Sequence, residues 1–352
     1  MKVAVETSAL YTTTAGVARY VRGLLDGLRR VAPPDMQFEE LAWPVPNLEY
    51  RQPQRALKTV AREWGWAKCV APWRVRGADV LHHTAGPMVP FLGPTRHVVT
   101  LYDLAVLRNP ERFRTWQRWS GIRRLRRLER AARVICISRF TAAEARELLD
   151  LDPRHTEVIY LGGAWDPAAA TRPPTEFRPP AEYVLFVGSL EPGKNLRLLR
   201  KIYLDATERN APLPPLVIVG TRWSGVPHEG PPPRDWIFAG HQPDAVLGWL
   251  YQHARLLAFP SRYEGFGLPV VEAMSLGCPV VCGRVASLPE VAGEAAAYAE
   301  LEPAAFGAAI RRLLVDGIWR EELRARGHRQ AALFTWEQCA RETCRLYSAA
   351  GG

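Results

Sequence analysis

Short apolar runs alternate with amphipathic segments along the whole chain. The runs have the length and the Val, Ile and Leu content of buried strands, and they lie at 2–5, 78–83, 97–103, 131–141, 183–189, 215–220, 235–242 and 256–259. A further strand is predicted over 38–46, and amphipathic segments such as 17–32 predict helices between the strands. Strands and helices that alternate at this spacing predict an α/β fold with parallel sheets.

Chain length and one Pro-rich segment predict two domains. At 352 residues the chain exceeds the size at which a single hydrophobic core stops growing, which is about 250–300 residues. Residues 161–182 are dense in Pro, Ala and Gly and show no periodicity. We therefore predict a first domain over 1–163, a linker over 164–182, a second domain over 183–333 and a terminal helix over 334–352.

The segment 259–298 has the most specific local pattern in the chain. An apolar strand ends at Phe259, a Gly-rich loop follows, and Pro269 suits the first turn of a short helix. Gly277 is placed to close that helix in the left-handed conformation. A helix start preceded by glycines offers free N–H groups and the positive end of a dipole. The segment therefore predicts an anion-binding site.

Two carboxylates, Glu264 and Glu272, flank the predicted anion site. Beside a phosphate, carboxylates are suited to accept hydrogen bonds from hydroxyl groups, which sugars and riboses supply in pairs. The E-x7-E spacing lies within PSRYEGFGLPVVEAMSLGCPVV and is followed by SLPEVAG. These motifs resemble the retaining glycosyltransferases of family four. The resemblance implies a GT-B fold, in which two Rossmann-like domains with parallel sheets face a central cleft and the last helix crosses back to the first domain.

The resemblance also implies roles for individual residues. Glu264 would hold hydroxyls of the transferred sugar, Glu272 would hold the ribose, and Lys194 would bind the departing diphosphate. The other implied donor-binding positions are Gly16 in the GVARY loop, Ser189 after the first strand of the second domain, Gly240 and His241 beside the base, and the loop residues Gly265, Phe266, Gly267 and Leu268. For His241 two interpretations stay open, because its ring could stack on a ligand or cap the next helix.

Two positions depart from the family pattern. At the end of the fourth strand, Tyr102 and Asp103 replace the usual His-Asp pair, and we place both side chains among the catalytic residues. Gly193 stands where relatives carry an arginine, so that only Lys194 remains of an Arg-Lys pair. A cation at a helix start opposes the helix dipole, which favours phosphate binding by Lys194 over a role as a solvated surface side chain. The departures indicate altered specificity or, as the alternative, a nucleotide-sugar-binding scaffold with impaired catalysis.

By the resemblance, the expected reaction is the retaining transfer of a mannose-, rhamnose- or glucose-like sugar from a nucleoside diphosphate sugar. The acceptor would be a hydroxyl of a glycan or lipid-linked glycan, in the synthesis of a surface polysaccharide or glycolipid. No metal-ligand spacing stands out, and His82 and His83 face opposite sides of a strand. We expect no metal, no cofactor beyond the donor substrate and no nucleic-acid partner. The six cysteines include no CxxC pair, so reduced, mostly buried thiols are expected.

Charge patterning adds a prediction about location. The net charge is +10, and residues 122–133 place apolar side chains in one helical arc and arginines opposite. Trp116, Trp119 and the basic, Trp-bearing segment 51–76 lie in the same domain, which predicts docking on an anionic membrane; the alternative is that the arc packs on its own sheet. No run of about 18 apolar residues occurs, and the first ten residues lack the features of a signal peptide. We expect a cytoplasmic protein, peripheral to the inner face of the membrane.

Overall fold

Two sheets of six parallel strands organise the described part of the chain. The computed structural model describes residues 1–12, 16–43, 61–86, 93–166, 171–222 and 230–351. The chain divides into two units, Met1–Gly162 with Trp336–Gly352, and Gly163–Thr335. The predicted α/β class with parallel sheets is confirmed. Residues 13–15 of the predicted first loop and 51–60 of the predicted basic segment lie outside the described residues.

The first unit is built around a sheet whose central strands are buried. Its strands are β1 Lys2–Glu6, β2 Gln37–Leu41, β3 Val80–His83, β4 Arg96–Leu101, β5 Arg133–Cys136 and β6 Thr156–Val158. Its helices before the second unit are α1 Ala9–Thr12, α2 Gly16–Val31, α3 Ala71–Arg74, α4 Ala105–Arg108, α5 Thr115–Leu125 and α6 Arg139–Leu149, with a π-helical segment at Ala61–Val70 and 3-10 turns at Pro110–Arg112, Leu128–Arg130 and Pro153–His155.

The second unit repeats this architecture. Its strands are β7 Val184–Val187, β8 Leu216–Val219, β9 Trp236–Gly240, β10 Leu256–Phe259, β11 Val280–Cys282 and β12 Ala296–Tyr298. Its helices are α7 Leu196–Glu208, α8 Asp244–His253, α9 Leu268–Ser275, α10 Leu288–Ala292, α11 Pro303–Val315 and α12 Gly317–Ala331, with a 3-10 turn at Pro192–Lys194. The described part of the segment interpreted as a linker packs on this unit. There the backbone N–H of Trp165 donates to Ser275 Oγ at 3.0 Å.

In each sheet the strand order reverses at one point. The first sheet has the order β2-β1-β3-β4-β5-β6, and the second has the order β12-β11-β10-β7-β8-β9. The reversals lie between β1 and β3 and between β7 and β10. In open α/β sheets, ligands bind beyond the carboxyl ends of the strands at such a switch point. The loops after these four strands are therefore where each unit is built to hold a ligand.

The last helix, α13 (Trp336–Gly351), completes the first unit by packing along α2. Two glycines on α2 make the close approach possible. A Cβ at Gly23 would lie 2.1 Å from the Trp336 ring, and a Cβ at Gly27 would lie 2.5 Å from the Trp336 carbonyl oxygen. Any larger side chain at either position would force the two helices apart.

A buried polar chain ties α13 to the sheet. His82 Nδ1 lies 2.6 Å from the Tyr347 hydroxyl, and His82 Nε2 lies 2.7 Å from Thr100 Oγ1. Burial lowers the pKa of His82 to about 3, so its imidazole is neutral at neutral pH. On the opposite side of β3, His83 Nε2 lies 2.8 Å from His97 Nδ1. His82 and His83 thus face opposite sides of β3, as expected, and both are buried with hydrogen-bond partners inside the first unit.

The basic segment after α5 differs from its prediction. The sequence pattern predicts one amphipathic helix over 122–133, but α5 ends at Leu125 and a 3-10 turn occupies Leu128–Arg130. Beyond that turn, the Ala132 N–H donates to the His97 carbonyl of β4 at 2.8 Å, so a helix cannot extend to residue 133. Leu128 is buried in the core of the first unit, so one member of the predicted apolar arc packs on its own sheet.

Two further expectations concern thiols and membrane spans. Five of the six cysteines are buried, Cys69 is exposed, and none forms a disulfide, which confirms free, mostly buried thiols. Within the described ranges, no helix combines the length and the apolar character needed to cross a membrane.

Candidate active site

The loop between β10 and α9 has the local structure that the sequence predicts. Gly267 adopts a φ of +98°, which glycine tolerates best, and Leu268 begins the helix with Pro269 in its first turn. At the other end, Gly277 has a φ of +73°, and the Cys278 N–H donates to the Ala273 carbonyl at 2.8 Å, as in a Schellman motif. Pro269 has no N–H, and the Val270 N–H donates to the Gly267 carbonyl at 2.9 Å, which leaves the Leu268 N–H at the start of α9 for an anion.

An ion pair joins the loops that follow β7 and β10. Lys194 Nζ lies 2.5 Å from Glu264 Oε1, and both side chains are mostly buried. The ammonium also lies 5.7 Å from the centre of the Phe259 ring. The two residues are 70 positions apart in the chain. They meet because β7 and β10 are neighbours at the switch point of the second sheet.

The turn that carries Lys194 is fixed by its neighbours. The buried Glu191 accepts the Gly193 N–H at 2.7 Å, and Asn195 takes the left-handed conformation with a φ of +56°. Asn195 Nδ2 donates to the Pro260 carbonyl at 3.2 Å, which ties the turn to the loop after β10. On the other side of the pair, Ser287 Oγ donates to the Glu264 carbonyl at 2.9 Å. Both members of the ion pair therefore stand on rigid backbone.

Glu272, the second glutamate of the motif, is more deeply buried than Glu264. Its exposed fraction is 1%, against 9% for Glu264. The Tyr251 hydroxyl, on α8, donates to Glu272 Oε2 at 3.0 Å. This hydrogen bond offsets part of the cost of burying the carboxylate. Sequence reasoning missed Tyr251, because nothing in the local pattern of α8 marks it as a partner of α9.

The other predicted donor-binding positions of the second unit differ in how exposed they are. Gly240 has a φ of +67° with open space where a Cβ would stand, and Ser189 is half-buried two positions after the end of β7. His241 is exposed, and the N-cap of α8 is Pro243, so the capping interpretation of His241 is not realised. Gly265 lies in the loop before α9. The Phe266 ring is buried edge-on against Phe334, which gives that side chain a packing role.

In the first unit, the predicted residues follow the ends of the central strands. The Tyr102 hydroxyl donates to the Thr84 carbonyl at 2.5 Å, and burial raises the pKa of Tyr102 well above its usual value. Asp103 Oδ1 accepts the Ala105 N–H at 2.9 Å at the start of α4. Gly16 is the exposed first residue of α2. These hydrogen bonds give Tyr102 and Asp103 structural partners besides their predicted catalytic roles.

A buried carboxylate at the first switch point escaped sequence reasoning. Glu6 ends β1 and is fully buried. Its Oε1 accepts the Ser8 N–H at 2.9 Å, and its Oε2 accepts the Thr84 hydroxyl at 3.2 Å. The sequence feature that could have indicated Glu6 is a charged residue at the end of an otherwise apolar strand.

Comparison with known proteins decides the family. Residues 169–331 match the model of the glycosyl transferases group 1, and residues 14–162 match the model of Glycosyltransferase Family 4. Over 298 residues the chain is 34% identical to the O-antigen chain mannosyltransferase B of Escherichia coli, covering 78% of this chain and 76% of that protein.

The chain is a family 4 glycosyltransferase. Solved structures confirm the GT-B fold of this glycosyltransferase. HepE of Anabaena, solved in complex with UDP and glucose, superposes with a TM-score of 0.71 over 99% of each chain at 15% identity. WaaG, a glycosyltransferase involved in lipopolysaccharide biosynthesis, superposes with a TM-score of 0.67 at 16% identity over 98% of this chain and 99% of that chain.

Within each unit, the fold of the glycosyltransferase brings some of the predicted residues close to one another. Lys194 and Glu264 are in direct contact, and Leu268 begins the helix that also carries Glu272. Gly16, Tyr102 and Asp103 belong to the first unit, where Tyr102 lies beside Thr84. Among the described residues, no group of three or more His, Cys, Asp and Glu side chains could hold a metal ion.

Proposed function

We propose that this glycosyltransferase transfers a mannose-like sugar, with retention of configuration, from a nucleoside diphosphate sugar to a hydroxyl of a glycan or lipid-linked acceptor. The observation that carries the proposal is the Lys194–Glu264 ion pair at the switch point before the start of α9. It sets a cation for phosphate and a carboxylate for sugar hydroxyls within one hydrogen bond of each other. The 34% sequence identity to an O-antigen mannosyltransferase supports mannose as the transferred sugar and polysaccharide synthesis as the process. The fold shared with HepE, which was solved with UDP, supports a nucleotide-linked donor.

In the proposed reaction, the bond between the sugar C1 and the diphosphate oxygen breaks on the face where the acceptor oxygen attacks. The departing phosphate takes the acceptor proton, so no protein nucleophile is needed. Lys194 and the N–H groups of Gly267 and Leu268 stabilise the charge that develops on the diphosphate. Glu264 holds the sugar hydroxyls, and Glu272 holds the ribose. Lys194 and the two N–H groups offset the negative charge of the diphosphate, so the proposed mechanism uses no metal ion.

Release of free nucleoside diphosphate tests the reaction. We expect turnover with one member of a panel of GDP- and UDP-linked sugars when a mannose-terminated glycan acceptor is present, and an α-linked product by NMR. Excess EDTA should leave the rate unchanged. Tight donor binding with no turnover would indicate a binding protein instead, and a rate that EDTA abolishes and a divalent ion restores would contradict the metal-free mechanism.

We also propose that the glycosyltransferase works at the inner face of the membrane and docks through α5. This helix has no buried residue, and it exposes 62% of Trp116 and 64% of Trp119. The Arg123 guanidinium lies 5.3 Å from the centre of the Trp119 ring. Exposed indole rings beside arginines suit the interface of an anionic bilayer. The docking helix is thus α5 itself rather than the longer helix predicted from the sequence.

Vesicle co-sedimentation tests the docking proposal. The protein should bind vesicles that contain anionic lipid at low ionic strength and should be released by salt, because each arginine near the surface contributes about 1 kcal/mol that salt screens. The double variant Trp116→Ala/Trp119→Ala should bind weakly. Val315→Ala/Ile318→Ala removes two apolar side chains of the second unit that are even more exposed, at 83% and 79%, and should bind normally. Equal binding by both double variants would contradict docking through α5.

A further inference from the structure

Two side chains in the loop after β10 have no role so far. Ser261 is fully buried, and its hydroxyl has no hydrogen-bond partner among the described residues. Arg262 is exposed, and its guanidinium forms no ion pair or hydrogen bond in the part of the chain that the structure describes. A buried hydroxyl without a partner is rare in native proteins and indicates a missing ligand or water. They lie three and two positions before Glu264 in the loop.

The charge of Lys194 is already neutralised. Its ammonium lies 2.5 Å from Glu264, so the pair as a whole presents little net positive charge to an incoming anion. A nucleoside diphosphate brings more than one negative charge to the site. The remaining positive end of α9 amounts to about half a unit charge. A second cation would let the diphosphate bind without drawing Lys194 away from Glu264.

The backbone places Arg262 beside the Lys194 turn. The Arg262 N–H donates to the Gly193 carbonyl at 2.9 Å, and Asn195 holds the carbonyl of Pro260 in the same loop. The two loops are therefore joined on both sides of Ser261. An arginine carries its charge at the end of a long, flexible stem. The Arg262 side chain therefore starts one backbone hydrogen bond away from the residue that precedes Lys194.

We propose that Arg262 is the second cation of the donor diphosphate site, and that the Ser261 hydroxyl donates a hydrogen bond to the same phosphates. The inference rests on the proposed use of a nucleoside diphosphate donor. A guanidinium offers a planar fork of donors that matches two phosphate oxygens, whereas an ammonium acts as a single point charge. A phosphate oxygen would also satisfy the hydroxyl that has no partner in the protein.

Calorimetric binding of GDP and UDP, compared with guanosine and uridine, tests the assignment. Arg262→Ala should weaken binding of the diphosphate about tenfold or more, on the scale of one charge-assisted hydrogen bond, and should leave nucleoside binding unchanged. The diphosphate affinity of Arg262→Lys should lie between that of Arg262→Ala and that of the wild type. Arg329→Ala removes the same charge from an exposed position on α12 and should bind both diphosphates as the wild type does. Ser261→Ala should weaken diphosphate binding by a smaller factor.

An arginine introduced at position 193 tests whether the affinity lost with Arg262 can be restored. Gly193→Arg in the Arg262→Ala background should recover diphosphate affinity, because the two backbones are in contact. Equal diphosphate affinity in Arg262→Ala and Arg329→Ala, with unchanged melting temperatures, would overturn the assignment. A wild-type protein that binds neither GDP nor UDP would instead refute the proposed donor, and the assignment would fall with it. The two failures are thus distinguished by the wild-type measurement.

Discussion

Replacement of Glu264 by Gln should lower turnover by about 10²–10³ while nucleoside diphosphate affinity stays equal or rises. The proposed contact of Glu264 is with the sugar, whose charge distribution changes in the transition state, so the loss should appear in kcat. The substitution also removes the negative partner that Lys194 holds at 2.5 Å. The freed ammonium is then available to phosphate. Steady-state rates with the donor and calorimetric affinity for the free nucleoside diphosphate measure the two effects separately.

Glu272→Gln is the matched control, because it makes the same chemical change eight positions further along the chain. Glu272 is expected to bind the ribose, so its variant should lose nucleotide affinity more than turnover at saturating donor. The amide can still accept the hydrogen bond from Tyr251, which limits the damage to the buried site. If both variants lost nucleotide affinity to the same extent, the separate roles of the two glutamates would be wrong.

The first unit should lose stability as the pH falls below about 6.5. The folded unit holds His82 neutral, with its pKa lowered to about 3 by burial, whereas the unfolded chain protonates near 6.5. Between those values the unfolded state binds more protons, so stability is complete above pH 6.5 and declines towards pH 3. Between pH 7 and pH 5 most carboxylates remain ionised, and protonation of His82 in the unfolded chain should alone lower the free energy of unfolding by about 2 kcal/mol. Burial also lowers the pKa of His97, to about 4, which adds to the decline.

Hydrogen exchange of the β3 and β4 amides at pH 7 and pH 5, corrected for the intrinsic rates, measures this loss within the first unit. His82→Gln retains one donor and one acceptor but cannot take up a proton, so it should remove about 2 kcal/mol of the pH dependence. His155→Gln changes an exposed histidine of the same unit and should leave the pH dependence intact. A His82→Gln variant as acid-sensitive as the wild type would contradict this account.

The features that could be predicted from the sequence are those that local chemistry determines. Gly267, Pro269 and Gly277 each specify a backbone conformation by themselves, so the start and end of α9 could be predicted. The strands were recognisable because both faces of a parallel sheet are buried and its strands are apolar throughout. The order of the strands, which brings Lys194 to Glu264, became predictable only through the resemblance to a known family.

What could not be predicted depends on contacts between distant segments. The helix expected over 122–133 cannot extend to residue 133 because the Ala132 N–H pairs with β4, and no local pattern reveals that pairing. The Tyr102 hydroxyl is held by the Thr84 carbonyl, which follows a different strand. Ser261 and Arg262 look like ordinary loop residues until the loop is seen to join the Gly193 turn. In each case the partner lies far away in sequence.

The packing of α13 on α2 has a consequence for biosynthesis. His82 and Tyr347 are 265 residues apart, and Trp336 fits against Gly23 only when the last helix has left the ribosome. The second unit is one continuous segment, so it can fold during translation, which adds roughly 5–20 residues per second. The first unit emerges earlier but must wait, on the order of 10–30 seconds, with the apolar face of α2 uncovered. A nascent chain that stops before Trp336 would carry both glutamates and Lys194 in a folded second unit, yet it would be a client for chaperones and proteases.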